Sequence, residues 1–254
     1  MPIARTQPAN SGVARLRATA LALVSALLMS VGALVMVPIG VITLFRARRL
    51  YSSMAAALSR MILALYGVRF EVHPAAPFPR TQVVYVSNHT SSLDMFILVA
   101  LGLPNTRFFL SGFLRKFVPL GVIASMMGTF FTVPQDRPWA RRRIFRRAAD
   151  VLRRTRESVY LSPEGGRITS GEVGHFNKGA FHLAMDLKAP IVPLYFQIPA
   201  HVDPGRGHDA RPGTVRVHVL PAIQTLDWEL KDLMANVARV RSLFVQVHGA
   251  HRCA

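Results

Sequence analysis

The chain has 254 residues, 51% of them hydrophobic and only 17% charged, with a mean hydropathy of +0.29. That composition excludes a disordered chain and leaves material for one large domain, or one domain plus a small appendage. Its 31 Lys and Arg against 13 Asp and Glu give a net charge of +18, which suits a polyanionic partner, either an anionic membrane surface or nucleic acid. The one cysteine, Cys253, excludes an intrachain disulfide and argues against a cysteine-based metal site. It fits a reducing, cytoplasmic face.

Residues 18–45, ATALALVSALLMSVGALVMVPIGVITLF, carry no charged side chain. As a straight helix this segment would run roughly 42 Å, longer than the ~30 Å hydrocarbon core of a bilayer. It reads as a membrane segment. Arg15 and Arg17 flank one end and Arg46, Arg48 and Arg49 the other, so charge sets no orientation. A full span is open, and so is a re-entrant insertion bent at Gly32 and at Pro38-Ile39-Gly40. The length of the run and the lack of a small-residue cleavage site speak against a cleaved signal peptide.

Residues 50–66 follow with Leu50, Met54, Leu58, Met61, Ile62 and Leu65 at helical spacing. The stripe suits a core-facing helix or one lying along the bilayer surface. Gly67 ends it.

From residue 68 short β-rich runs alternate with helical ones. The pattern predicts strands near 68–72, 82–87, 107–110, 129–133, 158–161, 190–196 and 214–219. It predicts helices near 92–102, 113–126, 138–155, 177–187 and 227–248. Such alternation implies an α/β fold, a mostly parallel sheet flanked by helices, whose ligand sites collect at the carboxyl ends of strands. Residues 201–213 read as an exposed loop on their Gly and Pro content. The helix at 138–155 carries Arg141, Arg142, Arg143, Arg146, Arg147, Arg153 and Arg154 opposite a stripe of Ile144, Phe145, Ala148, Val151 and Leu152. Its basic face suits solvent or anionic lipid headgroups. No base-reading motif or aromatic stacking platform accompanies it, so nucleic acid is not the expected partner.

Two stretches carry chemistry. In VVYVSNHTSSLDMF, residues 83–96, a strand ends at Asn88 and His89, and Ser91 or Ser92 can cap a helix that carries Asp94. The turn can swing the carboxylate back onto the imidazole, fix its tautomer and leave the other ring nitrogen free to take a proton. On spacing alone, a structural loop with two polar residues stands beside that reading. In LSPEGGRITSG, residues 161–171, Gly165 and Gly166 let backbone amides approach an anion, and Arg167 offers a planar donor fork. Taken by itself, the stretch reads as a tight turn with a surface arginine. The chain has no Gly-x-Ser-x-Gly elbow, no P-loop ending and no His-Glu-x-x-His pattern.

In order, these pieces resemble the glycerolipid acyltransferase family, whose best-known members are the lysophosphatidic acid (1-acylglycerol-3-phosphate) acyltransferases. NHTSSLD is similar to the family's Asn-His-x4-Asp signature. GTFFTVPQDR, Gly128 to Arg137, resembles its second block, with extra residues around Thr132–Gln135. SPEGGRITSG resembles the Pro-Glu-Gly-Thr-Arg-Ser block, with Gly166 where threonine is usual, and APIVPL resembles Pro-Ile-Val-Pro. The resemblance implies a His89 general base oriented by Asp94. It implies an acceptor-headgroup site drawn from Asn88, Arg137, Glu164, Gly165, Gly166 and Arg167. It also implies a lysophospholipid acceptor, acyl-CoA or acyl carrier protein as donor, and no metal or bound cofactor. Residues 1–67 would then be the membrane-anchoring region, 68–225 the catalytic domain on the cytoplasmic face, and 226–254 a C-terminal helix packed on it. The Gly166 departure keeps a different lysolipid acceptor, such as a lyso-ornithine lipid, in view. A non-enzymatic basic membrane or nucleic-acid binder would explain the charge but not the ordered blocks, and a thioester hydrolase would share the donor but use water.

Overall fold

The computed structural model describes residues 11–252 apart from Ala76, Gly171, Arg206 and His208; Gly171 and Cys253, both named above, lie outside the described residues. In chain order the elements are helices α1 (Ser11–Ile42) and α2 (Arg48–Leu65), strands β1 (Val68–Pro74) and β2 (Val84–Ser87), α3 (Leu93–Ala100), β3 (Thr106–Ser111), α4 (Val118–Met126), β4 (Phe130–Thr132), α5 (Pro138–Thr155), β5 (Ser158–Tyr160), α6 (Gly179–Leu187), β6 (Ile191–Gln197), β7 (Gly213–Val219) and α7 (Leu233–Arg252). The seven strands make one sheet ordered β1-β7-β6-β2-β5-β3-β4. Five pairings are parallel, and β6 with β7 is antiparallel. The expected α/β fold, with a mostly parallel sheet flanked by helices and a long apolar helix ahead of it, is what the chain adopts.

Strand periodicity sorts the core into two layers. Val83 and Tyr85 join a cluster with α1, α2, α3 and α4, whereas Val84 and Val86 point to the other face and pack with α5, α6 and α7. β2 lies between β5 and β6 and is buried along its whole length, so it reads as a continuous apolar run. β1 has β7 as its single strand partner and is largely exposed after Val68.

Three local readings change. First, α1 runs unbroken through Gly32 and Pro38, and the chain reverses beyond it, where Leu44 and Phe45 hold φ of 50° and 56°. Thr43 and Tyr51 hydroxyls bond across this turn. Gly32 serves packing rather than bending: a Cβ there would meet Leu58 Cδ2 at 2.8 Å. The helix is long and apolar enough to cross a membrane, and only 17% of its most apolar stretch is buried.

Second, α2 buries a different stripe from the one its bulkiest residues suggest. Tyr51, Ala55, Ala56, Ser59, Ile62 and Leu63 face inward, while Leu50 and Met61 are exposed. The helix is sandwiched between α1, α3 and α4, and small residues let those backbones approach.

Third, the 201–213 segment is no simple exposed loop. Val202 and Ala210 are fully buried in the core, and the carbonyls of Gly205 and Gly207 accept hydrogen bonds from Ser92.

Candidate active site

β2 delivers the chain to Asn88 and His89 at its carboxyl end. Asn88 is buried, and its side chain is committed to the scaffold. Nδ2 donates to the Phe196 carbonyl at 3.0 Å, and Oδ1 accepts the Phe196 N–H at 2.8 Å. This pair fastens the His89 turn to β6.

Asp94 sits in the first turn of α3 and is buried. Its Oδ2 accepts from His89 Nδ1 at 2.8 Å and from the N–H groups of Thr90 and Ser91 at 2.8 and 3.0 Å. With Nδ1–H donating to a carboxylate, Nε2 carries the free lone pair. The His89 side chain remains 29% exposed, and Nε2 makes no hydrogen bond among the described residues. Of the two serines able to cap α3, Ser91 supplies the bond. Ser91 Oγ accepts the Leu93 N–H at 3.1 Å, while the Ser92 hydroxyl leaves the helix for the 205–207 carbonyls.

The Glu-Gly-Gly-Arg segment follows β5 and closes over the same histidine. Glu164 Oε2 accepts the His89 N–H at 2.6 Å, and the Ile168 N–H donates to the His89 carbonyl at 2.8 Å. Both main-chain groups of His89 are therefore held by a loop 75 residues away in sequence. Glu164 Oε1 accepts the Gly174 N–H at 2.8 Å. Burial raises the Glu164 pKa above its ordinary value, and the Gly174 and His89 N–H bonds pull it back. Asn88 and Glu164, expected to touch a headgroup, bond backbone groups of Phe196, His89 and Gly174 in this structure. Arg167 is half-buried between two residues that grip His89, and it forms no ion pair among the described residues.

The second block reaches the site through a residue that sequence reading passed over. Gln135 Nε2 lies beside Gly165, whereas Arg137 is exposed at the start of α5. Asn177 is a further such residue, donating from Nδ2 to the Pro163 and Glu164 carbonyls at 3.0 and 3.1 Å. A third is Arg241 on α7, which donates to the carbonyls of Gly174 and Val173, each at 2.7 Å. Asn177 falls in the run FNKGAF, residues 176–181, which leads into α6. Arg241 had no local signal, because its partners lie 67 and 68 residues away.

Gly165 and Gly166 answer to different constraints. Gly165 has φ +69°, and a Cβ would meet Gln135 Nε2 at 2.6 Å and Asn177 Nδ2 at 2.9 Å. At Gly166 a Cβ would meet nothing within 4 Å. Gly165→Ala is expected to destabilise the fold by about 1–2 kcal/mol from backbone strain alone and to impair turnover. Gly166→Thr is expected to leave the melting temperature unchanged. Thermal melts of the two variants, run side by side, check both outcomes.

The sequence profile of the Acyltransferase family matches residues 69–197, about half of the chain, and covers every block described here. Similar proteins include the 1-acyl-sn-glycerol-3-phosphate acyltransferase beta of Homo sapiens, 32% identical over 68% of this chain and 62% of that protein. Another is the 1-acyl-sn-glycerol-3-phosphate acyltransferase of Limnanthes alba, 26% identical over 73% of this chain and 66% of that one. The chain therefore spans slightly less than two thirds of the length of these relatives. Among solved structures, the 1-acyl-sn-glycerophosphate acyltransferase PlsC of Thermotoga maritima superposes with a TM-score of 0.69 at 20% identity. That match covers 90% of this chain and 96% of that one, and it establishes a shared fold. With the profile match running from β1 through β6 and the His89–Asp94 pair lying inside it, the chain belongs to the acyltransferase family.

Proposed function

We propose that this protein is a membrane-bound O-acyltransferase that moves a fatty acyl group from acyl-CoA or acyl carrier protein to the free hydroxyl of a lysophospholipid. The acceptor we favour is 1-acyl-sn-glycerol-3-phosphate, which would give phosphatidic acid. The observation that carries the reading is the His89 ring, held by Asp94 at Nδ1 and left free at Nε2.

In this mechanism His89 Nε2 takes the hydroxyl proton as the acceptor oxygen attacks the thioester carbonyl carbon. The carbon–sulfur bond breaks, and the departing sulfur takes the proton back from Nε2. Asp94 stabilises the transient imidazolium and keeps the ring in one tautomer. No acyl-enzyme is needed, in keeping with a chain that has no nucleophile elbow.

Two features support a lipid substrate. An apolar cleft lined by Met95, Phe96, Leu58, Leu120, Ile123 and Ala124 opens beside α3, beginning one residue beyond Asp94, and would receive an acyl chain. The exposed apolar side chains of α1, among them Leu23, Leu27 and Leu34, would lie in the bilayer. Arg167, with Arg137 at the start of α5, would hold the acceptor phosphate. The open space at Gly166 supports a second reading, a lysolipid with a different headgroup such as a lyso-ornithine lipid.

The test supplies labelled acyl-CoA and a panel of lysolipids to membranes carrying the protein. Label should appear in phosphatidic acid. Label in another lipid would move the acceptor assignment. Label released as free fatty acid whatever the acceptor would replace transfer with hydrolysis.

A further inference from the structure

At the opposite end of the sheet from His89 lies a second concave site. It opens at the amino ends of β3 and β5, between the start of α2 and the α3–β3 loop, and encloses about 370 Å³. Arg48, Arg49 and Arg60 line it together with Ser52, Ser53 and Asn105.

One buried carboxylate anchors its floor. Glu157 bonds Arg107 through Nε at 2.5 Å and pairs with Arg48 on its other oxygen. Arg49 and Arg60 form no ion pair among the described residues. Four guanidinium groups against one carboxylate leave a net charge of +3 around one cavity. The start of α2 adds to it. This helix end has no side-chain cap and no acidic residue in its first turn, and carries two arginines there. Cations at a helix amino end oppose the macrodipole, and a bound anion relieves the conflict.

The surroundings select the kind of anion. Ile42, Leu44, Phe45 and Leu50, all exposed and apolar, flank the arginines on the α1–α2 turn. A soluble phosphate has no use for exposed apolar side chains next to Arg48 and Arg49, whereas a lipid places its headgroup among the arginines and its chains against the turn. Val99, Phe108 and Met127 line both this cavity and the apolar cleft beside α3, whereas the arginines line this cavity alone.

The geometry points to a second, non-catalytic lipid site in which Arg49 and Arg60 grip the phosphate of a membrane phospholipid headgroup, with the α1–α2 turn seated among its chains. It does not depend on the acyl-transfer reading. Its test uses the full chain in nonionic detergent, with phosphatidylglycerol binding counted by native mass spectrometry and acyl transfer measured in parallel.

Arg49→Gln/Arg60→Gln is expected to weaken this binding roughly tenfold or more through the loss of two charge-assisted contacts. Acyl transfer should stay within about twofold, since neither residue lies near His89. Arg143→Gln/Arg146→Gln on α5 removes the same charge elsewhere and should leave phosphatidylglycerol binding unchanged. Equal weakening in both double variants would overturn the proposal in favour of general electrostatic attraction. Displacement of the lipid by glycerol 3-phosphate or inorganic phosphate at comparable concentration would also overturn it, showing a site for soluble anions.

Discussion

Replacing His89 with alanine is expected to lower the rate of acyl transfer by about 10²–10⁴, the usual worth of a positioned general base. The loss should fall on kcat, because in the proposed mechanism the ring touches the reacting hydroxyl, and the change leaves the apolar cleft unaltered. Asp94→Asn is expected to lower kcat as well, by a different route. Asp94 Oδ2 gathers three N–H donors, from the His89 ring and from Thr90 and Ser91. An amide presents to that cluster either a neutral oxygen, a weaker acceptor, or an NH2 that opposes the three donors, so its hold on the ring's tautomer is weaker. Steady-state kinetics with a single lysolipid and a shared thermal melt separate lost chemistry from lost fold. Full turnover in a folded His89→Ala variant would end the general-base assignment.

Glu164→Ala is expected to disturb both stability and turnover. The change leaves the N–H groups of His89 and Gly174 without their carboxylate, at a cost of about 1–3 kcal/mol for each donor left buried and unpaired. It also frees the His89 backbone on one side, so kcat should fall with no change in which acceptor is preferred. The pH dependence has a definite sign. Burial raises the Glu164 pKa above 4.5, so the native state holds this proton more tightly than the unfolded chain. The stability that follows is complete below 4.5 and is lost as pH rises through the raised value. The alanine variant should lack that decline, and melts across the acid range would show whether the two curves converge as pH rises.

All seven strands were legible because their signal is local: β-branched and aromatic runs bounded by turn residues. His89 and Asp94 were legible for a similar reason, since five residues of chain are enough to close their contact. The backbone partners of Asn88 and Glu164 were not. Both are polar residues in ligand-like motifs, and only the fold reveals that their atoms are taken by Phe196, His89 and Gly174. The inward stripe of α2 was misjudged because bulk favoured Leu50 and Met61, whereas close helix packing selects Ala55, Ala56 and Ser59. Of the two open readings of residues 18–45, the one with a bend at Gly32 and Pro38 is not what the helix shows; the chain turns at Leu44 and Phe45, residue types that carry no turn signal.

The pairing of the first strand with the last sets an order of events during synthesis. Val68 of β1 meets Gly213 of β7, and 213 − 68 leaves 145 positions to be made before that edge can close. At ~5–20 residues per second the interval is roughly 7–30 seconds. During it α1 and α2 leave the ribosome, while the sheet face they will cover is still being assembled. A hydrophobic helix with so long a wait needs an apolar shelter, and a bilayer supplies one. On the proposed membrane-bound reading, the amino-terminal helix would settle in lipid well before the chain behind it is able to bring His89 and Glu164 together.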